Sequence, residues 1–174
     1  MRIQAWQRGV SLIEVMIAVL VFSVGLLGLS GLLVMAVRSS HAAYLRTQVT
    51  FLAGSMIERM RANPIAVWRG DYDGEATADG SAASCSTAAC TPTELAARDR
   101  SAWAGLLAST VPDATGHIRC DRAPAGFALT PQQIGMRPPF GGSCAMSVRW
   151  TERQVGDKDH GGAAKQTFAW IFQP

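Results

Sequence analysis

The chain has 174 residues and a formal net charge of +3. This length suits one compact domain plus an extended element and excludes two large domains. The nearly balanced charge, without a tract of Lys and Arg, gives no electrostatic footprint of a nucleic-acid-binding protein. Hydrophobic residues make up 48% of the chain, and many of them lie in one uninterrupted run near the N-terminus.

That run covers residues 15–37 and contains 23 residues without a charged side chain. About 20 apolar helical residues span a bilayer core of roughly 30 Å, so the run predicts a membrane-spanning helix. A secretory signal peptide is the alternative, but its apolar region is usually about 7–15 residues long. Here the run is longer, and no proline interrupts the chain before Pro64. We therefore favour the membrane-spanning helix.

The helical pattern continues beyond the apolar run. Apolar residues recur there at spacings of three and four, which is typical of one face of an α-helix. We call them the 45–60 face: Leu45, Val49, Leu52, Met56 and Met60. These patterns predict one helix over residues 10–62, about 80 Å long. The helix should end at Asn63, because a residue before proline avoids the α region. A domain of this size cannot bury such a helix, so its first half needs lipid or other copies of itself.

The rest of the chain predicts a small domain with one helix and a sheet. Residues 70–91 read as a surface loop, after which Thr91, Pro92 and Glu94 form a helix-start pattern. That helix would end at Pro112 and carry an apolar face formed by Leu95, Trp103, Leu106 and Leu107. Strands are predicted at residues 116–121, 143–152 and 165–172, with a hairpin loop at 155–164. The expected product is an antiparallel sheet packed on the 45–60 face.

Four cysteines form an even set: Cys85, Cys90, Cys120 and Cys144. Such a set persists as disulfides in an oxidising compartment, which favours a C-terminal domain outside the cytoplasm. Among the three pairings that four cysteines allow, we expect a local Cys85–Cys90 bond and a larger Cys120–Cys144 loop. Zinc is the alternative, but the spacings give no pair of Cys-x-x-Cys motifs.

The N-terminal residues carry the most specific motif. Arg-Gly-Val-Ser-Leu-Ile-Glu at residues 8–14, followed by an apolar helix, closely resembles the type IV prepilin signature. The resemblance implies that a membrane peptidase cuts between Gly9 and Val10 and then methylates the new N-terminus at Val10. It also places Glu14 at the glutamate on which subunit assembly depends. A cationic amine at Val10 could then meet Glu14 of a neighbouring subunit, a charge pair that would fix register.

Glu14 and three glycines of the predicted helix each allow a second interpretation. Glu14 alone could face lipid headgroups near the helix N-terminus, where the helix dipole favours negative charge. Gly25, Gly28 and Gly31 could serve close helix packing, or could weaken the helix when the subunit leaves the bilayer.

The resemblance implies an α+β pilin fold, in which a long N-terminal helix packs on a small antiparallel sheet. It divides the chain into a leader at residues 1–9, a transmembrane and polymerisation helix at 10–38, an amphipathic half at 39–63 and a periplasmic head at 64–174. The protein would lie in the inner membrane with a single span and then enter an extracellular pilus fibre or its tip.

Within that family the chain most resembles the PilV-type minor pilins, through residues 58–64, the helix containing Trp103 and residues 148–150. This implies a minor pilin that primes pilus assembly and supports twitching motility and adhesion. Its partners would be other minor pilins, the major pilin, the prepilin peptidase and the inner membrane. A minor pseudopilin of a type II secretion system is the alternative, and a binding module on an uncleaved anchor is a third hypothesis.

We expect neither an enzyme nor a cofactor. The three histidines, His41, His117 and His160, lack a nucleophile motif or a metal-ligand spacing. An acidic loop resembles part of a calcium site but lacks its full spacing, so a solvated loop is favoured over a weak metal site. Its members are Asp71, Asp73, Glu75 and Asp79.

No small-molecule substrate is expected, and DNA binding is an alternative of low weight. It would need several arginines to cluster on the sheet. These are Arg119, Arg122, Arg137, Arg149 and Arg153.

Overall fold

A computed structural model describes residues 9–78, 85, 88–153 and 163–174 of the chain. The chain divides into two compact units between His41 and Ala42. Asp79, His160, most of the predicted leader and most of the predicted hairpin loop lie outside the described residues.

The first helix, α1 (Leu12–Ala62), contains 51 residues and begins two residues later than the sequence pattern predicts. Its first turn forms where Glu14 and Val15 donate backbone N–H bonds to the carbonyl of Ser11, at 3.1 and 3.3 Å. Within the apolar run, the hydroxyls of Ser23 and Ser30 donate to carbonyls four residues earlier, so neither is left without a partner. The helix ends before Asn63, as the following proline requires.

A second helix, α2 (Pro64–Arg69), was missed because Pro64 was interpreted only as a terminator. Proline is also favoured in the first turn of a helix, where its missing N–H costs no hydrogen bond. Gly70 closes α2 with φ 83°, a left-handed conformation that suits glycine. The helix buries its apolar side chains, including Trp68 at 3% exposure.

The third helix, α3 (Pro92–Thr110), begins with the predicted capping box. The Thr91 backbone N–H and hydroxyl donate to the Glu94 carboxylate at 2.8 and 2.9 Å. These two bonds hold the pKa of Glu94 below its usual value, the backbone bond most strongly. The C-cap of α3 is Val111, one residue before Pro112, where the sequence predicts that the helix ends. Leu106 is 45% exposed, so its assignment to the packed apolar face is wrong, whereas Trp103 is buried as predicted.

The sheet has four antiparallel strands in the order β1-β2-β3-β4. They are β1 (Gly74–Ala76), β2 (Thr115–Asp121), β3 (Ser143–Arg153) and β4 (Ala163–Phe172). Strand β1 was expected to be loop, since three residues are too short to show an alternation. A 3-10 turn (Ala123–Ala125) and α4 (Pro131–Gly135), neither predicted, lie between β2 and β3.

The head core forms between the sheet and the 45–60 face, whose five residues are all buried. Trp103 of α3 packs into this core and donates its indole N–H to the Leu52 carbonyl at 3.0 Å. A side chain at Gly116 of β2 would overlap the Trp103 ring, so glycine lets this strand approach α3. A long N-terminal helix packed on an antiparallel sheet confirms the predicted α+β class.

Candidate assembly helix and its N-terminal processing motif

The three residues before α1 are exposed and non-helical. They are Gly9, Val10 and Ser11, and Val10 is 71% exposed. Glu14 follows in the first turn of α1, also exposed in the single chain. The bond between Gly9 and Val10 therefore lies in an accessible segment just before the helix. This geometry would allow a peptidase to reach that bond.

The first part of α1 presents apolar side chains in every direction. From Val10 to Val37, every large apolar residue is at least 47% exposed. In the part of the chain that the structure describes, α1 is the helix long and apolar enough to span a membrane, and its most apolar window has no buried residue. Because burying one large apolar side chain stabilises by about 1.5–3 kcal/mol, this surface strongly favours lipid or another apolar helix.

The three glycines of this segment do not pack against any described residue outside the helix. A side chain added at Gly25, Gly28 or Gly31 would meet nothing within 4 Å. Glycine costs about 1 kcal/mol relative to alanine inside a helix. Either an external helix approaches closely at these positions, or the helix gains the ability to bend there, and both interpretations stay open.

Near its C-terminal end, α1 joins a buried polar network in the head. Arg59 donates to the Asp99 carboxylate at 2.8 Å, and the Tyr72 hydroxyl donates to the same carboxylate at 2.9 Å. Asn63 donates to the carbonyl of Pro92 at 2.8 Å, which fixes the α1–α2 junction to the start of α3. Burial, together with the Asp99 carboxylate, raises the pKa of Tyr72.

Sequence reasoning missed this network, although one signal was present. Asp99 lies in helical register with Ala96 and Trp103, so it interrupts the buried face of α3 with a carboxylate. A buried carboxylate requires hydrogen-bonding partners, and Arg59 and Tyr72 supply them. The segment at residues 58–64 therefore has a structural role, because it contains Arg59 and Asn63.

The head contains two disulfides, Cys85–Cys90 and Cys120–Cys144. Cys120 and Cys144 lie directly opposite each other on β2 and β3, with their Cα atoms 4.0 Å apart. The Cys120 N–H donates to Asp73 at 2.9 Å instead of to β3. This makes the two cysteines a non-hydrogen-bonded pair, the type in which facing side chains are closest.

The remaining sequence candidates are dispersed. His41 is exposed on α1, and His117 is half-buried on β2. Asp71 and Asp73 accept hydrogen bonds from Thr93 and Cys120, respectively. Among the described residues, no group of three His, Cys, Asp or Glu side chains could hold a metal ion.

The proposed arginine cluster is divided. Arg119 and Arg149 are exposed on β2 and β3, whereas Arg122 and Arg137 lie in the segment between those strands. The side chain of Arg153 falls outside what the structure describes. Only part of the proposed cluster is therefore on the sheet.

The long apolar helix, the motif before it and the small sheet define a pilin-like structural subunit. Residues 31–101 match the family model described as type IV pilin Tt1218, and residues 7–30 match the prokaryotic N-terminal methylation motif. These adjacent matches support assignment to the type IV prepilin family, as a pilin or pseudopilin subunit. No curated protein and no solved structure matches the chain.

The two matched segments carry functional consequences for the chain. The methylation motif implies processing by a prepilin peptidase, and the pilin domain implies assembly with other pilins. Proteins of this family are structural subunits. The motif and the long apolar helix fit a membrane-anchored pilin that is incorporated into a fibre.

Proposed function

We propose that this chain is a minor pilin of a type IV pilus, of the PilV type, that primes pilus assembly and supports twitching motility and adhesion. The observation that carries the proposal is an apolar helical segment that overlaps the methylation-motif match at residues 7–30 and packs against none of the described residues. A helix of this kind is stable in lipid before assembly and among sister helices after it.

The assembly step begins at the leader. Hydrolysis between Gly9 and Val10 releases residues 1–9 and creates a cationic amine at Val10, which the peptidase then methylates. In the fibre, this amine pairs with Glu14 of a neighbouring subunit and neutralises a carboxylate that would be costly in an apolar interior. The pair sets the register of one helix against the next.

The proposed topology places the leader on the cytoplasmic side and the head in the periplasm. Residues 10–38 form the span, residues 39–63 the amphipathic half of the helix, and residues 64–174 the head. The two disulfides support this orientation, because such bonds persist in oxidising compartments. After assembly, the subunit belongs to the extracellular fibre or its tip.

Mass spectrometry of the mature N-terminus tests the proposal. We expect a chain that begins with methylated Val10, and a Gly9→Leu variant that keeps Met1. A Gly54→Leu variant is the matched control, because Gly54 lies on an exposed part of α1 with nothing within 4 Å of an added side chain. An intact Met1 in the wild-type chain would contradict the proposal and favour an uncleaved anchor.

A minor pseudopilin of a type II secretion system is the second candidate, since the same helix would serve either filament. Deletion of the gene distinguishes the two. Loss of surface pili and motility with normal secretion supports the pilus, whereas loss of secretion with normal pili supports the secretion filament.

A further inference from the structure

The two edges of the sheet are protected very differently. Strand β1 has only three residues, and Arg100 of α3 donates to its outward carbonyl at Glu75, at 2.6 Å. Strand β4 has ten residues and is about 33 Å long. In the described part of the chain, no strand pairs with the edge of β4 that faces away from β3, and no side chain covers that edge with a hydrogen bond. Native proteins usually shorten, charge or cover such an edge. On β4 the only charged residue is Lys165.

The hydrogen-bond pattern shows which backbone groups face that edge. Cys120 and Cys144 are a non-hydrogen-bonded pair, so the backbone groups of Cys144 point to β4, where Phe172 lies opposite. Because this orientation alternates along a strand, the even-numbered residues of β4 form backbone hydrogen bonds with β3. The odd-numbered residues from Lys165 to Ile171 therefore point their N–H and C=O groups outward, as a row that another strand could pair with.

Aromatic side chains on the core-facing side of β4 are incompletely covered. Phe168 lies opposite Val148, but Phe168 is 38% exposed while Val148 is fully buried. The Phe168 and Trp170 ring centroids are 4.0 Å apart, and Trp170 is only half-buried. An added strand with apolar residues on this side would extend the core over these rings.

The outer face beside the same edge is basic. Arg149 of β3 lies opposite Thr167, and Lys165 of β4 lies opposite Thr151, so the two cations are diagonal neighbours. Both are exposed, and neither forms an ion pair with a described residue. The described carboxylates of the outer face, Glu75 and Asp121, belong to β1 and β2.

We propose that the free edge of β4 is a docking site for an extended strand of a different pilus subunit. That strand alternates apolar residues, which contact Phe168 and Trp170, with acidic residues, which face Arg149 and Lys165. Backbone pairing supplies affinity, and the alternating side chains supply specificity. A second copy fits poorly, because edge-to-edge pairing of two β4 strands brings two basic faces together. That the partner is a pilus subunit rests on the proposed function.

The test is photo-crosslinking in cells, with a benzophenone amino acid at Thr167 of the full-length chain. We expect an adduct with an acidic, extended segment of another pilin-type subunit. Ala169→Pro should abolish the adduct, because it removes an outward N–H without breaking a bond to β3. Ala169→Val, which keeps that N–H, should retain it. Arg149→Glu with Lys165→Glu should also abolish it while leaving every backbone N–H in place.

Three outcomes would overturn the docking site. They are the absence of an adduct with another subunit, an adduct with a second copy, or an adduct that survives both Ala169→Pro and the charge reversal. Leader cleavage and fibre incorporation are measured in the same cells. Normal cleavage and incorporation without the adduct refute the β4 site alone, whereas an uncleaved leader refutes the proposed function.

Discussion

From Val10 to Val37 every large apolar side chain is at least 47% exposed, whereas twelve large side chains of the head and of the 45–60 face packed on it are less than 2% exposed. The head buries its apolar residues with its own chain, through three helices and a sheet. The apolar segment of α1 leaves the same kind of residue to an external partner. Stability of the head is therefore intramolecular, while that of the apolar segment depends on lipid or on other subunits.

The largest effect is expected in the head core. Trp103→Ala should lower the free energy of unfolding by about 3–5 kcal/mol, because it leaves a cavity and removes the bond to Leu52. Leu106→Ala on the same helix, at 45% exposure, should cost less than about 1 kcal/mol. Urea unfolding of the full chain in detergent, followed by tryptophan fluorescence, measures both. Equal losses would show that Trp103 is not a core residue.

The disulfides should contribute according to the loops they close. Replacing Cys120 and Cys144 by alanine should cost about 2–4 kcal/mol, since their sequence separation is 24. The Cys85 and Cys90 pair, with a separation of 5, should cost about 1 kcal/mol less. The same unfolding measurement compares the two variants. A larger loss for the short loop would contradict the loop-entropy account.

The buried Tyr72 should make the head sensitive to alkali. Because burial raises its pKa, the folded head keeps the phenol proton that the unfolded chain loses above about pH 10. This contribution is complete below that pH and is lost as pH rises further. Tyr72→Phe should cost about 1–3 kcal/mol at neutral pH and reduce the alkaline slope. Tyr44→Phe, at an exposed site, should leave the slope unchanged.

The smallest effect is expected for the apolar segment. Leu27→Ala, at a residue that is 74% exposed, should change the unfolding free energy of the head by less than about 0.5 kcal/mol. Urea unfolding in detergent is again the measurement. A loss above about 1 kcal/mol would show that the head depends on the apolar segment, and the contrast between the two regions would fail.

Features set by local chemistry were predictable from the sequence. The 45–60 face and the α3 capping box follow from residue spacing and from Thr91 and Glu94. Strand β1 was not predictable, because its three residues pair with β2 some forty residues later. Helix α2 was hidden because Pro64 can both end one helix and begin another.

The same distinction applies to the candidate site. Gly9, Val10 and Glu14 lie within a short motif, so the sequence alone could nominate them. The partner of Glu14 would come from another molecule, and no spacing within one chain predicts its geometry. Asp99 shows the converse within the head, since its partners Arg59 and Tyr72 are 40 and 27 residues away.

The most direct test of intermolecular assembly is the amount of Glu14→Ala subunit in sheared fibres, relative to the membrane. We predict that this variant is cleaved after Gly9 and accumulates in the membrane but is lost from the fibres. Glu58→Ala, which removes an exposed carboxylate from the amphipathic half of α1, should enter the fibres normally. Wild-type levels of the Glu14→Ala subunit in the fibres would contradict the account.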